Sequence, residues 1–151
     1  MDEQAKLAGI EKLLEDGEME EAFKEAMELD SSARDLALLM LVEWGCNCAE
    51  QIENDYYRSV AMAVLYERGE VDEDDIEDVR VRSAAMKRVA VRELDVSLAA
   101  RIPIPYYRAL AFMEISKITG KDFSQQIESA INWIENPYLR KWIERKFKGK
   151  L

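Results

Sequence analysis

The sequence has no histidine, and its 151 residues include only two cysteines, six glycines and three prolines. Without histidine the chain lacks the commonest general base and a frequent metal ligand. Cys46 and Cys48 could form half of a metal site or a redox pair, but no other Cys or His completes a zinc site, so we expect two partly buried thiols. The glycines are isolated and form no phosphate-binding loop. We therefore expect no enzymatic activity, catalytic residue, metal or cofactor.

Long apolar runs are also missing. No segment approaches the roughly 18 apolar residues of a transmembrane helix. The first residues, Met1-Asp2-Glu3-Gln4, lack the basic and apolar parts of a signal peptide. We expect a cytoplasmic protein with no membrane partner. Scarce Asn and Gln (four each) beside abundant charge are typical of thermophile proteins.

The charge is uneven along the chain. The net charge of −10 hides 24 acidic and 6 basic side chains in residues 1–78, a balance of −18. Residues 79–151 contain 7 acidic and 15 basic side chains, a balance of +8. Opposite charges of this kind would permit head-to-tail self-association of copies of the chain into a homo-oligomer.

A short repeat runs through the sequence. Residues 34–45 and 58–69 align without gaps at an offset of 24. The matched residues are Arg34, Ala37, Leu41, Glu43 and Gly45, and Arg58, Ala61, Leu65, Glu67 and Gly69. The frame continues more loosely from Lys6, Arg82, Arg108 and Arg140. Because Ala, Leu, Met, Glu, Lys and Arg dominate throughout, each copy is expected to be helical.

The repeat predicts two alternating types of helix. Long helices should begin near residues 3, 31, 55, 79, 105 and 137, and shorter ones should occupy residues 18–28, 46–53, 72–77, 96–102 and 122–135. Asp2, Asp30, Asn54, Asp78 and Asn136 are predicted N-caps, with Ile104 the exception, and Pro105 and Pro137 suit the first helical position. Residues 72–94 contain no Gly or Pro, yet the repeat predicts a break at Asp78.

The recurring positions predict how the long helices pack. The basic residue, the small residue three later and the large apolar residue seven later share one helical stripe. A cation in the first turn opposes the helix dipole. We therefore expect each arginine to reach the last carbonyls of the preceding short helix, or the carboxylates of Glu53, Glu77 and Glu135. The alternative is a solvated surface arginine.

These segments resemble known α-helical repeats. Residues 17–30, Gly-Glu-Met-Glu-Glu-Ala-Phe-Lys-Glu-Ala-Met-Glu-Leu-Asp, resemble the second helix of a tetratricopeptide repeat (TPR). Residues 136–140 and 78–85 are similar to the second helix of short HEAT-like repeats. The spacings of 28, 24, 24, 26 and 32 depart from the TPR period of about 34.

The resemblance implies one all-α domain over residues 1–151. This would be a right-handed stack of antiparallel helix pairs, with about ten to eleven helices, and its concave face would bind another macromolecule. The resemblance implies no reaction.

Two groups of residues are candidates for partner binding. Tyr57, Tyr107 and Arg108 belong to a repeated Tyr-Tyr-Arg triplet that could stack bases or hold an acidic peptide; the alternative is a role between repeats. Lys141, Arg145 and Lys148 fall on one face of the last helix, opposite Trp142 and Phe147, and could meet RNA or an acidic partner. The alternative there is a polar capping helix.

One further cluster is acidic. Residues 72–78 could bind a divalent cation but lack the EF-hand spacing, and they also suit an acidic helix start.

These features favour a non-enzymatic protein–protein interaction module, a small scaffold or adaptor that holds an unknown protein or peptide. The alternative is a nucleic-acid- or ribonucleoprotein-associated protein that acts through residues 79–151. The −18 balance of residues 1–78 opposes that alternative, because it would repel phosphate.

Overall fold

The computed structural model describes residues 2–149, and that part of the chain contains nine α-helices, two one-turn 3-10 helices and no strand. Its contacts form two compact units. Unit 1 ends at Asp78 and unit 2 begins at Val79. The all-α prediction is confirmed.

Unit 1 contains four α-helices and both 3-10 turns. They are α1 (Glu3–Glu15), α2 (Met19–Met27), α3 (Ser31–Glu43), the turn Ala49–Gln51, α4 (Asp55–Glu67) and the turn Glu73–Asp75. Helices that follow one another pack together, and α1 also packs against α3.

Unit 2 contains five α-helices. They are α5 (Val79–Glu93), α6 (Val96–Ala100), α7 (Pro105–Thr119), α8 (Ser124–Asn132) and α9 (Pro137–Phe147). Consecutive helices again pack together, and α7 is central because it also packs against α5 and α9. This side-by-side packing within each unit is compatible with a helical repeat.

All six long helices begin at the residues that the repeat predicts. The break at Asp78 is confirmed, because α5 begins at Val79. The two short helices predicted at 46–53 and 72–77 are wrong in length, since each is a single 3-10 turn. In the turn Glu73–Asp75, the side chains of Asp72 and Asp75 form a capping box. Ile76, which follows the turn, is fully buried and has extended backbone angles. The described residues thus hold nine α-helices rather than ten or eleven.

The predicted N-caps are only partly confirmed. The side chains of Asp2, Asn54 and Asn136 accept backbone N–H groups of the first helical turn. Asp30 occupies the N-cap position of α3 with extended backbone angles, as predicted, but its side chain makes no cap bond.

The predicted packing stripe is confirmed by burial. The small residues Ala37, Ala61, Ala85 and Ala111 are fully buried. The large residues four positions later, Leu41, Leu65, Val89 and Ile115, are buried too. Alanine lets a neighbouring helix approach, and the larger side chain fills the space one turn on.

Three arginines bond the carbonyls that the dipole argument predicts. Arg58 Nη1 donates to the carbonyl of Ile52 at 3.1 Å, and Arg108 Nη1 donates to that of Ile102 at 2.9 Å. Arg140 Nε donates to the carbonyl of Ile134 at 2.9 Å. Each acceptor lies six residues earlier. Arg34 differs, since its buried Nε has no hydrogen-bond partner among residues 2–149.

Each buried polar side chain follows a repeat arginine. They are Asp35, Ser59 and Ser83. Asp35 accepts the backbone N–H groups of Glu53 and Asn54 at 3.0 and 2.9 Å. Ser59 accepts the N–H of Asp78 at 3.0 Å, and Ser83 accepts that of Ile104 at 3.2 Å. In α3, α4 and α5, this side chain therefore bonds the residue that directly precedes the next long helix.

Candidate partner-binding surface

The last helix of unit 2 presents a basic outer face. Lys141, Arg145 and Lys148 are exposed, while Ile143 on the opposite side is fully buried. Trp142 lies on the flank and is 40% exposed, so it is not opposite the basic face as predicted. Lys150, the last member of the basic run, lies outside the described residues.

Exposed aromatic side chains adjoin this helix. Tyr138 in its first turn is 84% exposed, and Trp133 at the end of α8 is 70% exposed. Trp142 packs against Tyr106 of α7 with ring centroids 6.2 Å apart, and Lys146 places its ammonium 5.2 Å from the Trp142 ring centroid. Tyr138, Trp142 and Lys146 are spaced four residues apart and so lie along one side of α9.

A groove of about 450 Å³ lies between α7, α8 and α9. Its apolar lining consists of Leu110, Met113, Ile127 and Phe147, and its polar lining consists of Glu114, Ser116, Lys117 and Lys146. Four of these side chains, at positions 110, 113, 114 and 117, have the i, i+3, i+4, i+7 spacing of one α7 face.

The cations of this region lack acidic partners. Glu114 pairs with Lys87 at 3.3 Å and so is already neutralised. Five cations line the groove or lie on the basic face of α9, and none of them forms an ion pair within residues 2–149. They are Lys117, Lys141, Arg145, Lys146 and Lys148. Their charge is available to an incoming anion.

The residues of the two Tyr-Tyr-Arg triplets make contacts within their own units. Tyr107 is half-buried and packs edge-on against Tyr106, with ring centroids 5.4 Å apart. Arg108 is bonded to the Ile102 carbonyl, and its partial burial lowers the pKa of its guanidinium. Tyr57 packs against the core of unit 1. Of these contacts, the Arg108 bond joins α7 to the segment that follows α6. A partner-binding role for the three residues stays a prediction.

The two cysteines are free thiols. Cys48 is buried and donates its Sγ to the carbonyl of Leu38 at 3.6 Å, whereas Cys46 is half-buried. Burial, together with Cys46 beside it, raises the pKa of Cys48 to about 12. A thiol with this pKa is protonated at neutral pH and is a poor nucleophile.

Within residues 2–149, no three Cys, Asp or Glu side chains are grouped so that they could hold a metal ion. None of the helices in this range has the length and apolar character needed to cross a membrane.

The chain was also compared with known proteins. No protein-family model, curated protein or solved structure matches it.

The groove itself was missed from the sequence. The spacing of Met113 and Lys117 on α7 was visible, as were Lys146 and Phe147 on α9. The groove forms because α7 and α9 are separated laterally, and this separation depends on where α8 packs. The position after Arg34, Arg58 and Arg82 was a clearer missed signal, since Asp35, Ser59 and Ser83 are all polar.

Proposed function

We propose that the protein is a non-enzymatic protein–protein interaction module, a small cytoplasmic scaffold or adaptor of helical-repeat type. The observation that carries the proposal is the exposed basic face of α9, where Lys141, Arg145 and Lys148 have no ion-pair partner within residues 2–149. Two aromatic side chains near the start of α9 are also largely exposed, Tyr138 in its first turn and Trp133 four residues before the helix begins.

This combination supports an acidic protein partner. Tyr, Trp and Arg are the side chains that most often dominate binding energy at protein interfaces. Complementary charge raises association rates and selects against wrong partners. A partner with carboxylates opposite α9 and pockets for the two aromatic rings would use both features.

The proposal includes a finer architecture. The repeats would form one right-handed TPR- or HEAT-like stack over residues 1–151, with partners held on the stack as they are in helical-repeat proteins generally. The packing of consecutive helices within each unit supports this arrangement.

The test is affinity capture from the native lysate with and without nuclease. The full-length wild type is compared with the triple variant Lys141→Glu, Arg145→Glu, Lys148→Glu. Wild type should retain specific proteins after nuclease treatment, and the variant should lose them. Identical capture by both proteins would contradict the role of α9, and capture abolished by nuclease would contradict a protein partner.

Nucleic acid is the second candidate. Exposed aromatics next to cations also suit stacking on single-stranded RNA. Binding of labelled RNA to the full chain should then weaken steeply as salt rises, because phosphate contacts release counterions. Salt-independent or absent binding rejects this candidate.

A second copy of the chain is a further available partner. The balances of −18 and +8 in residues 1–78 and 79–151 are complementary between copies. Sedimentation at low and high salt tests it, and a monomer under both conditions rules out self-association.

A further inference from the structure

The groove between α7, α8 and α9 combines an apolar floor with a cationic rim. Its volume of about 450 Å³ falls in the range of roughly 300–1,000 Å³ that is typical of ligand sites. Ile127 and Leu110 are buried at its base, and Met113 and Phe147 are partly exposed to it. A ligand that buries an apolar group there would therefore gain binding free energy.

The rim of the groove selects for negative charge. Lys117 and Lys146 line it and form no ion pair within the described residues. Glu114, which also lines it, is bound to Lys87. Lys146 is held beside Trp142 by a cation–π contact rather than by a carboxylate.

We infer that this groove binds an acidic peptide segment, which inserts one bulky apolar side chain between α7 and α9 and pairs its carboxylates with Lys117 and Lys146. The inference rests on the proposed interaction function and names the partner chemistry of one site on the same unit. The +8 balance of residues 79–151 also attracts such a segment from solution.

The groove has a different role from the basic face of α9. Lys141, Arg145 and Lys148 do not line it, so that face contributes long-range attraction. The groove supplies the apolar contact that charge alone cannot provide. A purely acidic peptide should therefore bind weakly, and an apolar anchor should increase the affinity.

The experiment uses fluorescence anisotropy with the full-length protein and the labelled peptide Glu-Asp-Leu-Glu-Phe-Leu-Asp-Glu. In a second peptide, serine replaces Leu and Phe, which leaves the charge unchanged. The test variant is Lys117→Glu/Lys146→Glu. The matched control, Arg101→Glu/Lys121→Glu, makes the same charge change on exposed side chains outside both the groove and the basic face of α9. Circular dichroism confirms that each variant is folded.

We expect the test variant to weaken binding about tenfold or more, because two ion pairs with the peptide carboxylates are replaced by repulsion. The serine peptide should lose at least about tenfold as well, because the buried apolar area is gone. The control variant should change affinity less than about threefold, the effect of screened surface charge.

Three results would overturn the inference. They are no binding of the apolar peptide, equal loss in the test and control variants, and equal affinity for the two peptides. Displacement of the peptide by a tighter-binding single-stranded oligonucleotide would assign the groove to nucleic acid instead. If these tests fail while nuclease-resistant capture still depends on α9, the groove assignment alone is wrong. If both fail, the proposed function is wrong too.

Discussion

The buried carboxylate of Asp35 on α3 accepts the backbone N–H of Asn54, the N-cap residue of α4, at 2.9 Å. The side chain is 3% exposed, and its second oxygen accepts the N–H of Glu53. A negative charge at a helix N-terminus is favoured by the helix dipole, and both amides would otherwise lack a partner. Asp35 thus sets where α4 begins.

Replacing Asp35 should destabilise the fold strongly. Asp35→Ala leaves two amide donors unsatisfied, and we expect a loss of about 3 kcal/mol in the free energy of unfolding. Asp35→Ser supplies the side chain that Ser59 and Ser83 use in later repeats and should recover part of the loss. Urea denaturation followed by circular dichroism measures both. The control Asp30→Ala, at an exposed residue with no cap bond, should stay within about 0.5 kcal/mol. Equal effects at the two positions would contradict this role.

Arg58 should contribute to stability through backbone carbonyls. Its guanidinium bonds the Ile52 carbonyl and pairs with Asp55 at 2.5 Å and Glu77 at 3.7 Å. Arg58→Met should lower the free energy of unfolding by about 1–2 kcal/mol, or several degrees in Tm. The free energy of unfolding of Arg58→Lys should lie between those of the wild type and Arg58→Met, because one ammonium group cannot reproduce the several hydrogen bonds of the planar guanidinium. Calorimetry checks this, and an unchanged Tm in Arg58→Met would reject the interpretation of the repeat arginines.

Leu94 occupies a position better suited to glycine. It is the one non-glycine residue with positive φ among residues 2–149, at +53°, and it follows α5 as Gly45 and Gly69 follow α3 and α4. The left-handed conformation costs a branched side chain about 1 kcal/mol. Leu94 is partly exposed, so Leu94→Gly should raise the free energy of unfolding by about 0.5–1 kcal/mol. The reciprocal change Gly69→Leu should lower it. If Leu94→Gly is destabilising instead, contacts of the leucine outweigh the backbone strain.

Cys48 should resist alkylation while the protein is folded. Its pKa rises from 9.0 to about 12, so almost no thiolate exists at pH 8. With iodoacetamide, Cys46→Ser should leave an unreactive protein, whereas Cys48→Ser should still be labelled at half-buried Cys46. Mass spectrometry measures the extent of labelling. Rapid labelling of Cys48 in the folded protein would contradict its burial.

The raised pKa of Cys48 also makes the free energy of unfolding depend on pH. Because the folded-state pKa lies above the unfolded one, the stabilisation is fully present below about pH 9 and is lost as pH rises towards 12. Cys48→Ala should flatten this part of the pH–stability curve.

The sequence was sufficient to locate the long helices because their starts carry local signals. Asn54 and Asn136 cap their helices with their own side chains, and Pro137 fits only a first turn. A cation in the first turn opposes the helix dipole, and this local conflict predicts that Arg58, Arg108 and Arg140 bond nearby carbonyls, as they do. These features depend on residues close together in sequence.

The parts that sequence reasoning missed depend on tertiary packing. Ile76 must be both extended and fully buried, which reduces the predicted helix at 72–77 to one turn. Trp142 lies on the flank of α9 because Ile143, not Trp142, faces the core. The groove beside Lys146 depends on the separation of α7 and α9, which no single helix encodes.

The most direct test of the interaction role is site-specific photo-crosslinking in the native host. Benzoylphenylalanine replaces Tyr138, which is 84% exposed beside the basic face of α9, or Tyr56 of unit 1, which is 55% exposed. We predict discrete protein adducts from position 138 that disappear when Lys141, Arg145 and Lys148 are changed to Glu, and none from position 56. Adducts that are absent from position 138, that form equally from both positions, or that consist of nucleic acid would contradict the account.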